Sequence, residues 1–157
     1  MEAQVLILKK PTKSISGILP LTVVLPPKKC WHGTCIYCPG GESAPQRYTP
    51  KSPSVITAIA LDYDPYKQVE VKLKNARAMG HMTDKIELII IGGTFMQYHL
   101  SFRDNFVKRC FDALNGFNSD SLEEAQKINE TSENRCVAFC IENRPDNCSA
   151  GRSDSLS

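Results

Sequence analysis

The run Ile18-Leu19-Pro20-Leu21-Thr22-Val23-Val24-Leu25-Pro26-Pro27-Lys28-Lys29-Cys30-Trp31-His32-Gly33-Thr34-Cys35-Ile36-Tyr37-Cys38-Pro39-Gly40-Gly41 decides the fold. Its first eight residues are rich in Leu and Val and are stopped by Pro26-Pro27, the pattern of a short strand covered on both faces. A Gly- and Pro-rich loop with three cysteines follows, so the triad lies just past a strand's carboxyl end. Lys85 to Ile91 repeats the pattern: Leu88-Ile89-Ile90-Ile91 is apolar on consecutive residues and runs into Gly92-Gly93-Thr94. A third strand is expected over Cys136 to Ile141, ending at Glu142.

The intervening segments have helical spacing. Ser52 or Ser54 can cap a helix that starts near Pro53. Val55, Ile59, Val69, Leu73, Ala76 and Met79 support helix on both sides of a break at Pro65, and Gly80-His81 closes it. Phe102 to Leu114 places Phe106, Cys110, Ala113 and Leu114 on one side and stops at Asn115-Gly116; Leu122 to Glu133 is a further, polar helix. Strand and helix in alternation predict an α/β fold with about three parallel strands and flanking helices, whose site lies on the loops at the strands' carboxyl ends. All three notable motifs fall there.

A chain of 157 residues, 41% hydrophobic and 23% charged, has the size and composition of one domain. Seven cysteines, odd in number and unevenly clustered, argue against a secreted disulfide scaffold, and Met1 to Lys10 lacks a signal peptide's apolar core. The expected location is the cytoplasm, with thiolates bound to metal. Neither Ile18 to Leu25 nor Leu88 to Ile91 approaches the ~20 residues of a membrane span. Met1 to Lys51 holds seven Lys or Arg against Glu2 and Glu42, so the basic N-terminal third is the better candidate for an anionic partner. The expected division is a basic segment over 1–17, the α/β domain over 18–148 and a divergent, disordered serine-rich tail over 149–157.

Cys30, Cys35 and Cys38 are candidate metal ligands, spaced four and then two residues apart. A [4Fe-4S] cluster held by three thiolates leaves one iron open to a substrate. Two other readings stand beside it. Structural zinc would take a fourth ligand, with His32 the nearest. A ferredoxin-like electron carrier would use the same spacing with a distant fourth cysteine, from Cys110, Cys136, Cys140 or Cys148. Cys110, Cys136 and Cys140 fall in helix or strand, where cysteine is usually a small core residue. Tyr37 can pack beside a cluster or shield it from water. Gly92-Gly93-Thr94 is a strand-end turn whose backbone carbonyls can approach a ligand's amino group. After the third strand, Glu142 can accept hydrogen bonds from ribose hydroxyls and Arg144 can meet a carboxylate or phosphate, unless the two simply pair at the surface. Lys85 is an exposed residue at a strand's start.

Taken together, Cys30-x4-Cys35-Ile36-Tyr37-Cys38-Pro39-Gly40-Gly41, Pro45-Gln46-Arg47-Tyr48-Thr49, Tyr63-Asp64-Pro65-Tyr66, Gly80-His81, Asp84-Lys85-Ile86-Glu87, Gly92-Gly93-Thr94-Phe95 and Ile141-Glu142-Asn143-Arg144-Pro145-Asp146 resemble the catalytic subunit of Elongator, especially its archaeal branch. The triad alone resembles the wider radical SAM superfamily. The resemblance implies an incomplete (β/α) TIM-type barrel that binds a [4Fe-4S] cluster, S-adenosylmethionine, acetyl-CoA and tRNA. The implied reaction modifies the wobble uridine to 5-carboxymethyluridine: a 5'-deoxyadenosyl radical takes hydrogen from the acetyl methyl group, and the resulting carbon radical adds to C5 of the base. By the same resemblance Cys30, Cys35 and Cys38 ligate the cluster; Tyr37, Gly92, Gly93, Thr94, Glu142 and Arg144 bind S-adenosylmethionine; and Lys85 is associated with acetyl-CoA.

This sequence departs from the family pattern at Asn143 and Cys140, where the family usually has Thr, at Arg47, where it has Ser, and at Thr57, where it has Arg. Three strands against about six in a radical SAM barrel, and no acetyltransferase domain, lead to the expectation of a fragment that is inactive alone unless another chain supplies the rest. Its third strand would be an exposed parallel edge bearing Val137 and Phe139.

Overall fold

The computed structural model describes residues 11–39 and 41–145. The first ten residues of the basic segment, Gly40, Asp146, Cys148 and the tail over 149–157 lie outside the described residues. A 3-10 turn, Pro11–Ser14, precedes β1 (Leu19–Val24), α1 (Pro53–Ala60), α2 (Pro65–Ala78), β2 (Lys85–Ile91), a second 3-10 turn (Phe95–Gln97), α3 (Leu100–Asn115), α4 (Leu122–Asn129) and β3 (Arg135–Ile141). The strands form one parallel sheet in the order β1-β2-β3, with Leu19 opposite Ile86 and Lys85 opposite Arg135. This is the α/β architecture the sequence predicts. Each strand lies beside its sequence neighbour, an order found in a (β/α) barrel and equally in the first three strands of a classic doubly wound sheet.

Side chains alternate across the strands. Leu19, Leu21, Val23, Ile86, Leu88 and Ile90 face a core shared with Val69 and Leu73 of α2 and with Phe106, Val107, Cys110 and Leu114 of α3. Val24 and Ile91 face the other way, onto Val55 and Ala58 of α1 and Ala44 of the cysteine loop. Covering both faces is why these strands are apolar on consecutive residues. It also fixes the carboxyl ends of β1 and β2, where the loops of the site begin.

The sheet's two edges differ. Leu25 N donates to Ile91 O, so the odd-numbered residues of β1 bond toward β2 and the even-numbered ones turn outward. On that outer edge Pro20 has no N–H to offer, Lys72 Nζ donates to Thr22 O, and the buried Gln68 side chain bonds both groups of Val24: its Oε1 accepts from the N–H at 2.9 Å and its Nε2 donates to the carbonyl at 3.0 Å. The Gln68 amide thus takes the place of a neighbouring strand's peptide. Among the described residues β3 is covered less: Asn129 Oδ1 meets its Cys136 N–H, and no strand lies beyond it. Val137 is 39% exposed there, whereas Phe139 packs against the main core instead of lying open.

Several local expectations change. Ser52 occupies the N-cap position of α1, but its hydroxyl accepts from Thr49 N, not from the helix. Ile59 of α1 is 43% exposed. α3 begins at Leu100, two residues early, capped by the His99 ring accepting from Ser101 N. α4 stops at Asn129 rather than Glu133 because the Asn129 amide is buried and engaged elsewhere: it donates to Asn115 Oδ1 and Asn134 O and accepts from Cys136 N. Cys140, expected in the core, is exposed; it lies across from Ile89, with its sulfur 3.6 Å from Glu87 Oε1 on the less covered face of the sheet. No helix among the described residues is long and apolar enough to cross a membrane.

Candidate metal and cofactor site

Pro26-Pro27 end β1 and turn the chain across the top of the sheet. Two contacts anchor this crossing: Tyr98 Oη donates to Pro26 O at 2.7 Å, and Lys28 Nζ donates to Gln97 O while lying 4.3 Å from the centre of the Tyr98 ring. The cysteines follow on two tight turns, closed by Gly33 N to Cys30 O and Cys38 N to Cys35 O. Gly33 has a φ of 94°, which the first turn needs. Three free thiols, none of them fully buried, are thereby set around one opening.

That opening is a cavity of about 600 Å³ lined by Cys30, Cys35, Cys38, His32, Tyr37, Gln46, Arg47, Gly93, Asn143, Arg144 and Pro145. All three strand-end motifs contribute to it. Of the expected residues, the triad, Tyr37, Gly93 and Arg144 line the cavity directly, with Tyr37 85% exposed at its mouth. Gly92, Thr94 and Glu142 stand behind the wall. Thr94 is buried at the start of the second 3-10 turn, where its hydroxyl bonds Gly92 O. Lys85 lies elsewhere, exposed at the first position of β2 and about 20 Å along the strand from Ile91.

The residues after β3 stitch the loops together, each toward a different one. Glu142 accepts from Tyr48 Oη with both carboxylate oxygens, at 2.8 and 2.9 Å, and from Gly92 N at 3.2 Å. Asn143 Oδ1 accepts from Met96 N, and Arg144 Nη1 donates to the His32 ring, 2.6 Å from Nδ1. The His32 ring in turn is 3.3 Å from Cys35 Sγ. Glu142 and Arg144 do not pair with each other in these contacts, as a simple surface pair would. Burial, and then the bond to Glu142, push the Tyr48 phenol well above its usual range, so it stays a donor at any physiological pH.

The thiols sense one another. Burial pushes the Cys30 thiol up, the Arg144 guanidinium opposes this, and Cys38 and Cys35 push it further up as like charges. Thiolates so coupled are stabilised by bound metal, and the donor set of three sulfurs with a basic residue beside them suits an iron-sulfur cluster. Among the described residues no three His, Cys, Asp or Glu are gathered as ligands of a metal ion; the three thiols share the cavity without being drawn together. Cys110, buried in α3, and Cys136 and Cys140, on β3, do not line the cavity, so none of them is placed as the fourth ligand of a ferredoxin-like site.

Residue types and local spacing did not single out Gln46, Tyr48 or Asn143 as site residues. Gln46 and Tyr48 lie in a loop without periodicity, and Tyr48 meets its partner 94 residues away. The one available signal was their place in the Pro45 to Thr49 run, directly after the triad.

No protein-family model matches the chain. It is 50% identical over 145 residues to the tRNA uridine(34) acetyltransferase of Methanocaldococcus jannaschii, an alignment covering 89% of this chain and 27% of that protein. Against the tRNA uridine(34) acetyltransferase of Dehalococcoides mccartyi it is 50% identical over 141 residues, covering 90% and 30%. Elongator complex protein 3 of Schizosaccharomyces pombe is 41% identical over 149 residues, with 88% and 27% covered. Among solved structures, the archaeal Methanocaldococcus infernus Elp3 with residues 1–46 deleted matches with a TM-score of 0.67 at 38% identity, over 89% of this chain and 26% of that one. The chain therefore spans between a quarter and a third of the length of these relatives. Over that span, with half its residues identical and the same arrangement of parallel strands and helices, it belongs to the family of tRNA uridine(34) acetyltransferases and Elongator complex protein 3.

Proposed function

We propose that this chain is the cluster- and S-adenosylmethionine-binding part of a radical SAM transferase that modifies the wobble uridine of tRNA to 5-carboxymethyluridine with acetyl-CoA as co-substrate. The observation that carries this reading is the convergence of the cysteine loop, Gly93 and Arg144 on one cavity. The names of the relatives support the tRNA substrate and the transferase class. Cys30, Cys35 and Cys38 would hold the [4Fe-4S] cluster, which supplies the electron that cleaves S-adenosylmethionine.

The chain's own residues bind and orient. Arg144 brings a guanidinium to the cavity for a carboxylate, held by its contact with His32. Gly93, at a φ of 73° and lacking a side chain, leaves its backbone open to an amino group. Tyr37 offers an exposed aromatic face at the mouth, suited to a nucleobase. Glu142 is a bracket: its oxygens already hold Tyr48 and Gly92, and their remaining lone pairs are what a ribose hydroxyl would use. Lys85 keeps its association with acetyl-CoA by resemblance alone. It shares a strand face with Ile91 by alternation, but not this cavity. Turnover needs the remaining length of the relatives, including the acetyltransferase domain and further strands, on this polypeptide or another.

Anaerobic reconstitution with iron and sulfide tests the reading. The chain is expected to bind four irons, to give a four-iron paramagnetic signal on reduction, and to change that signal when S-adenosylmethionine is added. Cys30→Ala, Cys35→Ala and Cys38→Ala should each abolish the signal; Cys110→Ala and Cys140→Ala should preserve it. Zinc in place of iron, or a signal indifferent to S-adenosylmethionine, would overturn it.

A further inference from the structure

Gln46 is 3% exposed and lies against the third cysteine of the triad. Its Oε1 accepts from the Cys38 thiol at 2.7 Å, while its Nε2, equally buried, has no hydrogen-bond partner. The backbone N–H of Arg47 already points at the same sulfur, 3.3 Å away. Gly41 makes room for the amide, and Gly93 lies beside the base of the same side chain. A Cβ on Gly41 would stand 2.5 Å from Gln46 Nε2, and one on Gly93 would stand 3.5 Å from Gln46 Cβ. The amide is therefore confined between the cysteine loop and the end of β2.

A buried amide nitrogen without an acceptor costs about 1–3 kcal/mol of lost hydration. The arrangement suits a thiol, which can donate to Oε1. A thiolate bound to iron cannot: it is an acceptor only, and an amide oxygen at 2.7 Å would face it acceptor to acceptor. The terminal torsion of glutamine is two-fold and its oxygen and nitrogen are nearly the same size, so the cleft that admits one orientation admits the other. A half-turn brings the unpartnered N–H onto the sulfur.

We propose that Gln46 is a positioning residue of the cluster: its side-chain amide, together with Arg47 N–H, donates to the Cys38 sulfur when that sulfur is a ligand, and so sets the cluster's reduction potential. This rests on the reading of the triad as cluster ligands. Donors to a ligand sulfur draw off negative charge and favour the reduced, more negative cluster, which raises its potential. Removing one lowers it.

The test is a redox titration of the reconstituted chain, followed by the paramagnetic signal of the reduced cluster, in wild type, Gln46→Leu and Gln46→Glu. Both variants are expected to load four irons and to reduce at a lower potential than wild type, with Gln46→Glu lower still because a carboxylate adds charge and offers no donor. The iron–thiolate stretching band in resonance Raman spectra should shift in the same variants. A wild-type potential and Raman band in a fully loaded Gln46→Leu chain would overturn the proposal. Gln46→Glu, nearly isosteric, decides the question by the same criterion if the leucine variant does not fold. Failure of the wild-type chain to load iron overturns the cluster reading itself, an outcome distinct from either.

Discussion

At Gly92 the backbone φ is 140°, and a Cβ placed there would lie 2.9 Å from Leu25 Cβ. The end of β2 and the residue after β1 can touch only because this position is glycine. Gly92→Ala is therefore expected to cost about 2 kcal/mol through strain and overpacking. Gly17→Ala, at a φ of 77° with nothing within 4 Å, carries the strain without the clash and should cost less. Urea midpoints compare the two; equal shifts would contradict the packing argument. Residues of this kind were legible in the sequence because their chemistry is local: cysteines at ligand spacing, and glycines at a strand end. Gln46 and Tyr48 were not, since neither carries a sign of its partner. Tyr48 has meaning only opposite Glu142, and Gln46 only once the loop folds back on Cys38. Lys85 shows the converse case, a residue noticed through resemblance that the fold sets apart from the cluster cavity.

Helix α3 depends on one buried carboxylate near its carboxyl end. Asp112 accepts from the backbone and hydroxyl of Ser119 and from Lys108 Nζ at 2.9 Å, fixing the turn that leads into α4. Burial alone would raise its pKa; the Ser119 and Lys108 bonds outweigh this and hold the carboxyl below its usual range. A carboxyl depressed on folding contributes stability that is complete above its unfolded value, about 3.9, and is lost as pH falls through the lower folded one. Asp112→Asn should thus cost about 2 kcal/mol near neutrality and progressively less below pH 4, measured by urea midpoints across that range. A pH-independent cost would contradict it. Most element types were legible because apolar spacing is a property of single segments. The exceptions arise where tertiary contacts decide: Asn129 ends α4 through its bonds to Asn115, Asn134 and Cys136, and Cys140 is exposed because no described element packs over that part of β3.

The described residues form a three-stranded sheet whose β3 edge has no strand neighbour. Beyond Cys136, whose N–H Asn129 Oδ1 meets, β3 has no strand neighbour on its outer side among the described residues and carries the exposed Val137, a template for association between copies. Val137→Lys is expected to reduce self-association severalfold in light scattering while leaving the thermal midpoint within about 1 °C, since the side chain already meets solvent and exposed substitutions move stability little. Aggregation unchanged by the lysine would place the sticky surface elsewhere. The β1 edge is different in kind. With Gln68 on both groups of Val24, Lys72 on Thr22 and a proline at position 20, any strand arriving there would have to displace side chains that already serve as its substitute. The described sheet is therefore a series with a first term: a strand added at β1 must displace Gln68 and Lys72, whereas the β3 edge has no strand neighbour. The first strand of the described sheet is thus finished by side chains, while its last strand is left to be continued.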